Sequence, residues 1–104
     1  MRQILMKTTA YLRISTADQD IEKNKSDILK LANEKRLGYV EFIEEQISGK
    51  VSWRKRKLFA IIDDAKKDDV LIVSELSRLG RSMLEIMEIL SIASQKQMKI
   101  YAVK

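Results

Sequence analysis

A chain of 104 residues, 45% of them apolar, is long enough for one core, and no run approaches the ~18 uninterrupted apolar residues of a membrane span. With no Cys and no His it is denied disulfides, thiolate nucleophiles, zinc–thiolate sites and histidine general bases; any metal would need carboxylates alone, and any enzyme must use Ser, Arg, Lys, Asp, Glu or Tyr. The 20 Lys and Arg outweigh 15 Asp and Glu, and the excess lies in residues 1–16 and 50–82, which suits either an anionic partner such as DNA or a solvated surface.

Residues 8–14, TTAYLRI, read as a first strand. Thr16 followed by Gln19 is a capping-box pattern, predicting a helix over 17–37 with Ile21, Ile28, Leu31 and Ala32 on one face. Gly38 ends that helix at the C′ position. Residues 39–44, YVEFIE, read as a short strand, and 46–53 as a loop containing Ser48-Gly49. Leu58, Ile61, Ile62 and Ala65 predict an amphipathic helix over 57–67. The apolar run VLIVS, 70–74, is typical of a buried parallel strand, and ELSRLGRS, 75–82, follows as a loop or single turn. Ser82 with Glu85 is a second capping box, opening a helix over 83–97. Its stripe is Met83, Ile86, Met87, Leu90 and Ala93, widened by Leu84, Ile89 and Ile92 beyond one face, which agrees either with a buried partner surface or with ordinary packing inside the domain. The last strand is 99–103, KIYAV.

This βαβαβαβ order predicts an α/β fold: a three-layer αβα sandwich around a mostly parallel sheet of four or slightly more strands. Ligands in such sheets bind at the carboxyl ends of strands, near a topological switch point. That rule selects the loop beginning at Ser15 and the loop carrying Ser77, Arg78 and Arg81.

On a strand, Tyr11, Arg13 and Ser15 point to one side. An inward arginine is costly unless paired with an anion. Taken alone, the same residues also fit an N-cap serine beside a salt-bridged arginine. Arg78 and Arg81, three residues apart before a helix N-terminus, make a phosphate clamp in which Gly80 permits a tight turn. The run Trp53-Arg54-Lys55-Arg56-Lys57 is strongly basic, and by itself reads as a solvated face. A serine with several arginines and neither His nor Cys suits phosphoryl transfer, which needs an in-line nucleophile and dispersed positive charge.

Three motifs carry a family resemblance: Tyr11-Leu12-Arg13-Ile14-Ser15-Thr16; Ser48-Gly49 followed by Arg54 to Arg56; and Val73-Ser74-Glu75-Leu76-Ser77-Arg78-Leu79-Gly80-Arg81. Over essentially the whole chain the sequence resembles the catalytic domain of the serine recombinases, the resolvase/invertase family. The resemblance implies that Ser15 is the nucleophile, with Arg13 beside it and Arg78 and Arg81 on the scissile phosphate. It implies supporting positions at Tyr11, at Asn24 where resolvases have a glutamine, and at Glu45 where they have an aspartate. The family arginine after the Ser-Gly loop falls on Arg54 or Arg56. Ser77 stands where an aspartate often precedes the motif's first arginine.

The implied reaction is site-specific DNA recombination through a 5′-phosphoserine intermediate, without metal or cofactor. The implied partners are DNA and further copies of the chain, a homodimer on each site and a tetramer during exchange, with no membrane, in the cytoplasm and associated with the prokaryotic nucleoid. Family members continue into a long dimer helix and a helix-turn-helix domain, so residues 1–104 are expected to be a truncated catalytic domain, inactive by itself. The competing readings are a catalytically inactive dimerisation domain and an anion-binding α/β module. A receiver-like or nucleotide-binding module lacks its usual sequence marks here, the acidic cluster and the glycine-rich phosphate loop.

Overall fold

The computed structural model describes residues 6–14 and 21–104. Strand β1 (Thr8–Ile14) lies inside a four-stranded sheet with β2 (Glu41–Gln46), β3 (Val70–Val73) and β4 (Lys99–Ala102). All pairings are parallel, in the order β2-β1-β3-β4. Helix α1 (Ile21–Glu34) links β1 to β2, α2 (Lys57–Asp63) precedes β3, and α3 (Met83–Gln95) links β3 to β4. Single 3₁₀ turns occur at Trp53–Lys55 and Leu76–Arg78.

Side-chain alternation divides the core in two. Ala10 and Leu12 of β1, with Val70 and Ile72 of β3, pack under Ile28 and Ala32 of α1. Tyr11, Leu71 and Val73 face the opposite way, onto Leu58 and Ile62 of α2 and Ile86, Ile89 and Ala93 of α3. The result is the expected three-layer sandwich. β3 is buried at all four residues, as its unbroken apolar run requires, because helices cover both faces. Register pairs Arg13 with Glu45 and Ala10 with Ile72. β1 and β3 are neighbours whose onward connections leave toward opposite edges, so the topological switch falls between them.

Several boundaries differ from the sequence reading. The second strand is Glu41–Gln46 rather than 39–44, set by pairing with β1 as far as Ile14. The second helix stops at Asp63 rather than 67, and the third at Gln95 rather than 97. The first helix ends at Glu34, and its C′ residue is Arg36, not Gly38. Arg36 adopts φ 56°, its N–H donates to the Asn33 carbonyl at 3.1 Å, and the Leu37 N–H donates to the Ala32 carbonyl at 2.9 Å. That is a Schellman closure with a non-glycine residue in the left-handed position. α3 ends in the same way, with Gln97 at φ 61° and the Met98 N–H on the Ala93 carbonyl at 2.9 Å. Leu37 and Met98 both pack against the core, the apolar contact that accompanies this motif.

The α3 stripe is also narrower than expected. Ile86, Ile89 and Ala93 are buried, whereas Met83, Leu84 and Met87 are exposed in the first turns. Its capping box is half-formed: the Ser82 Oγ accepts the Glu85 N–H at 3.2 Å, but the Glu85 carboxylate turns elsewhere. The Thr16–Gln19 pair lies outside the described residues. Among the described residues no helix is long and apolar enough to cross a membrane.

Candidate active site

The loop after β2 organises the site. Arg13 emerges at the carboxyl end of β1 and donates from Nη1 to the Ile47 carbonyl at 3.0 Å. Its guanidinium lies flat against Gly49, where a Cβ would stand 3.4 Å away. Gly49 in turn accepts through its carbonyl from Arg56 Nη2 at 3.3 Å. Arg56 also donates from Nε to the Val51 carbonyl and from Nη1 to the Arg78 carbonyl, both at 3.0 Å. Only 3% of Arg56 is exposed. A buried guanidinium is stable here because all three of these nitrogens meet carbonyls. Arg13, Gly49, Arg56 and Arg78 therefore form one chain of contacts between the carboxyl ends of β1 and β3.

Beneath this chain, the fully buried Tyr11 donates its hydroxyl to Glu45 Oε1 at 2.9 Å. Burial, and then the hydrogen bond and charge of Glu45, push the Tyr11 phenol above its ordinary range, against a smaller opposing pull from Arg56. Tyr11 stays a neutral donor. The same Glu45 oxygen accepts the Lys57 N–H at 2.7 Å, which places a carboxylate at the first turn of α2. Glu45 thus ties the Tyr11 hydroxyl of β1 to the start of α2.

The basic run is not a uniform solvated face. Trp53, Arg56 and Leu58 are buried, while Arg54, Lys55 and Lys57 are exposed. Spacing left Arg54 and Arg56 interchangeable; burial separates them. Arg54 points to the rim, stacks over the Trp53 ring at 4.9 Å and pairs with Glu88 of α3.

Glu85, read from sequence only as a cap partner, is a hub. Its carboxylate accepts the Ser52 hydroxyl at 2.9 Å, the Arg81 N–H at 3.0 Å and the Trp53 N–H at 3.3 Å, and pairs with Arg81 Nε at 3.2 Å. Burial pulls this carboxyl upward, but those donors and the Arg81 charge outweigh it and hold it below the usual carboxylate range. Gly80 matters for close approach rather than a left-handed turn: a Cβ there would sit 2.8 Å from the Glu85 Cβ.

Ser77 is exposed and donates to Glu75 at 3.3 Å. Asn24 is half-buried in the first turn of α1, on the layer opposite Arg56 and Tyr11. Ser15 follows Ile14 directly in sequence but lies outside the described residues. A cavity of about 170 Å³ opens at the other, amino end of the strands, lined by Lys7, Thr9, Asp64 and Asp69 among others. Asp69 is committed there to the N–H groups of Lys7 and Lys66, at 3.1 and 3.0 Å.

Residues 8–104 match the family described as the resolvase N-terminal domain. The chain belongs to the resolvase family. Among curated relatives, this resolvase-family domain is 34% identical over 87 residues to a Transposon Tn2501 resolvase of Escherichia coli, covering 79% of this chain and 42% of that protein. It is 37% identical over 89 residues to the DNA-invertase hin of Salmonella typhimurium, covering 83% and 42%. The chain thus spans less than half the length of these relatives. In structure it is similar to the C-terminal catalytic domain of ISC1926 TnpA, an IS607-like serine recombinase, with a TM-score of 0.74 and 26% identity, covering 95% of this chain and 70% of that one. A protein from transposon ISC1904 of Sulfolobus solfataricus P2 shares the fold at TM-score 0.58 and 21% identity, covering 94% and 67%.

Proposed function

We propose that this resolvase-family domain catalyses DNA strand exchange with Ser15 as the nucleophile. The Ser15 hydroxyl gives up its proton and its oxygen bonds to a backbone phosphorus; the bond from phosphorus to the 3′ oxygen breaks, and that oxygen leaves as a protonated 3′-hydroxyl. The 5′-phosphoserine keeps the phosphodiester energy, so rejoining to a new 3′-hydroxyl draws on neither ATP nor water. Arg13, Arg78 and Arg81 spread positive charge over the non-bridging oxygens as the transition state gains charge. One observation carries this reading. The contact chain Arg13–Gly49–Arg56 reaches the backbone carbonyl of Arg78, which joins the carboxyl end of β1, immediately before Ser15 in sequence, to the arginine-bearing turn after β3.

In the full-length protein the substrate is duplex DNA, bound as a dimer at each site and as a tetramer during exchange. The exposed Met83, Leu84 and Met87 offer an apolar surface for assembly. The setting is cytoplasmic and associated with the nucleoid.

The test is a gel that traps the covalent protein–DNA band. Full-length wild type gives a band and Ser15→Ala gives none, with site binding retained. A band that survives Ser15→Ala would overturn the assignment.

A further inference from the structure

Two carboxylates one turn apart on α3 face the loop after β2, and each holds an arginine. They are not equivalent. Glu85 keeps the Ser52 hydroxyl and the N–H groups of Trp53 and Arg81 even if the Arg81 side chain swings away. Glu88 has two side-chain donors, Trp53 Nε1 at 3.2 Å and Arg54 Nη2. The Arg54–Glu88 pair lies at the rim, with side chains 53% and 42% exposed, and spans 34 positions of sequence. The hydrogen bond from Arg54, then that from Trp53, hold the Glu88 carboxyl below its ordinary range, so at neutral pH it is an anion.

We propose that Glu88 is an internal competitor for DNA phosphate: it holds Arg54 on α3, and Arg54 engages the DNA backbone only after that pair breaks. The proposal rests on the recombinase reading for its ligand, duplex DNA. A carboxylate and a phosphodiester both offer a guanidinium two oxygen acceptors in a plane, so Arg54 serves one or the other. An exposed pair is weak enough for a phosphate to displace. Arg54 need not travel far, because its stacking on Trp53 keeps the guanidinium at the edge of the site whichever anion it meets. Trp53 itself is 1% exposed and stays fixed in the core. Glu88 is accordingly a positioning residue, acting through Arg54 rather than on DNA.

The test is a double-mutant cycle in the full-length protein, measuring binding to a short DNA duplex at fixed salt. Glu88→Gln keeps the shape and an oxygen for the Trp53 N–H but loses the charge. It should tighten binding about two- to five-fold, the range expected for an exposed ion pair. In an Arg54→Ala background the same change should gain no more than the loss of any exposed carboxylate charge. Glu22→Gln, which removes an exposed charge on α1, sets the baseline for general electrostatics. A gain from Glu88→Gln that is equal with and without Arg54, or equal to that of Glu22→Gln, overturns the proposal. Weaker binding on Glu88→Gln also overturns it. Glu88→Ala, which gives up the Trp53 bond as well, must show the same dependence on Arg54. Binding is read without strand cleavage, so a missing covalent band or a band surviving Ser15→Ala would count against the recombinase chemistry and not against this coupling.

Discussion

Arg54 and Arg56 are two positions apart and chemically identical, yet their surroundings give them opposite consequences. Arg56 holds three carbonyls inside the protein. Arg56→Met leaves those acceptors without donors, and a loss of about 2–4 kcal/mol is expected in urea unfolding. Arg56→Lys keeps the charge but presents one nitrogen to three separated carbonyls, so it recovers only part of the loss. Arg54→Ala, at the rim, should change stability by less than about 1 kcal/mol. Glu85 gives a second expectation at this scale. Its carboxyl is held below the ordinary range in the folded protein, so its stabilising contribution is full above the unfolded carboxylate range and is lost as pH falls through the depressed folded value. Acid unfolding of wild type against Glu85→Gln measures this: the two should differ most near neutral pH and converge in acid.

Among the elements, the helix ends and the arginine turn carry the clearest expectations. Arg36 occupies a left-handed conformation that costs an L-residue about 1 kcal/mol, so Arg36→Gly should stabilise the domain by roughly 0.5–1 kcal/mol, raising Tm by a few degrees. Gly38 sits at φ 80° with open space around it, so Gly38→Ala should destabilise through backbone strain alone. Gly80→Ala acts through sterics instead. A Cβ placed 2.8 Å from the Glu85 Cβ forces the 78–81 turn away from α3, at an expected cost of about 1–3 kcal/mol. Thermal melts of the three variants separate these causes by sign and size. Because Arg78 and Arg81 flank Gly80, that variant should also slow covalent attachment to DNA.

For the whole molecule, net charge of +5 and a cluster of arginines at one end of the sheet set its behaviour toward polyanions. The isolated domain should bind duplex DNA weakly and without sequence preference. Log affinity should fall linearly with log salt, at about 0.9 per phosphate neutralised, and removing one contacting arginine should reduce that slope by about one. A titration of Arg81→Ala against wild type at several salt concentrations checks this. An unchanged slope would place Arg81 away from the DNA backbone.

Element order and the three-layer architecture were legible in the residues. The β-rich composition of Thr8–Ile14, the helical stripe through Ile28 and Ala32 and the unbroken apolar run Val70–Val73 identify buried elements, and short βαβ links leave little choice but a parallel sheet. The loops that carry Arg13, Arg78 and Arg81 could be located too, since strand ends near a switch point follow from the element order. What distinguished Arg54 from Arg56 was not. A basic run has no intrinsic face, and only the carbonyls of Gly49, Val51 and Arg78, brought together from separate loops, make the interior hospitable to one guanidinium. The roles of Glu85 and Glu88 were hidden for the same reason. Their partners lie more than 30 positions away at Ser52, Trp53 and Arg54, and local periodicity carries no information about such contacts. Helix ends at Arg36 and Gln97 also escaped, because packing Leu37 and Met98 into the core outweighed the preference for glycine. Local sequence determined what each segment is, and tertiary packing decided which of its polar groups are held inside and by what, because desolvation and pairing depend on neighbours distant in the chain.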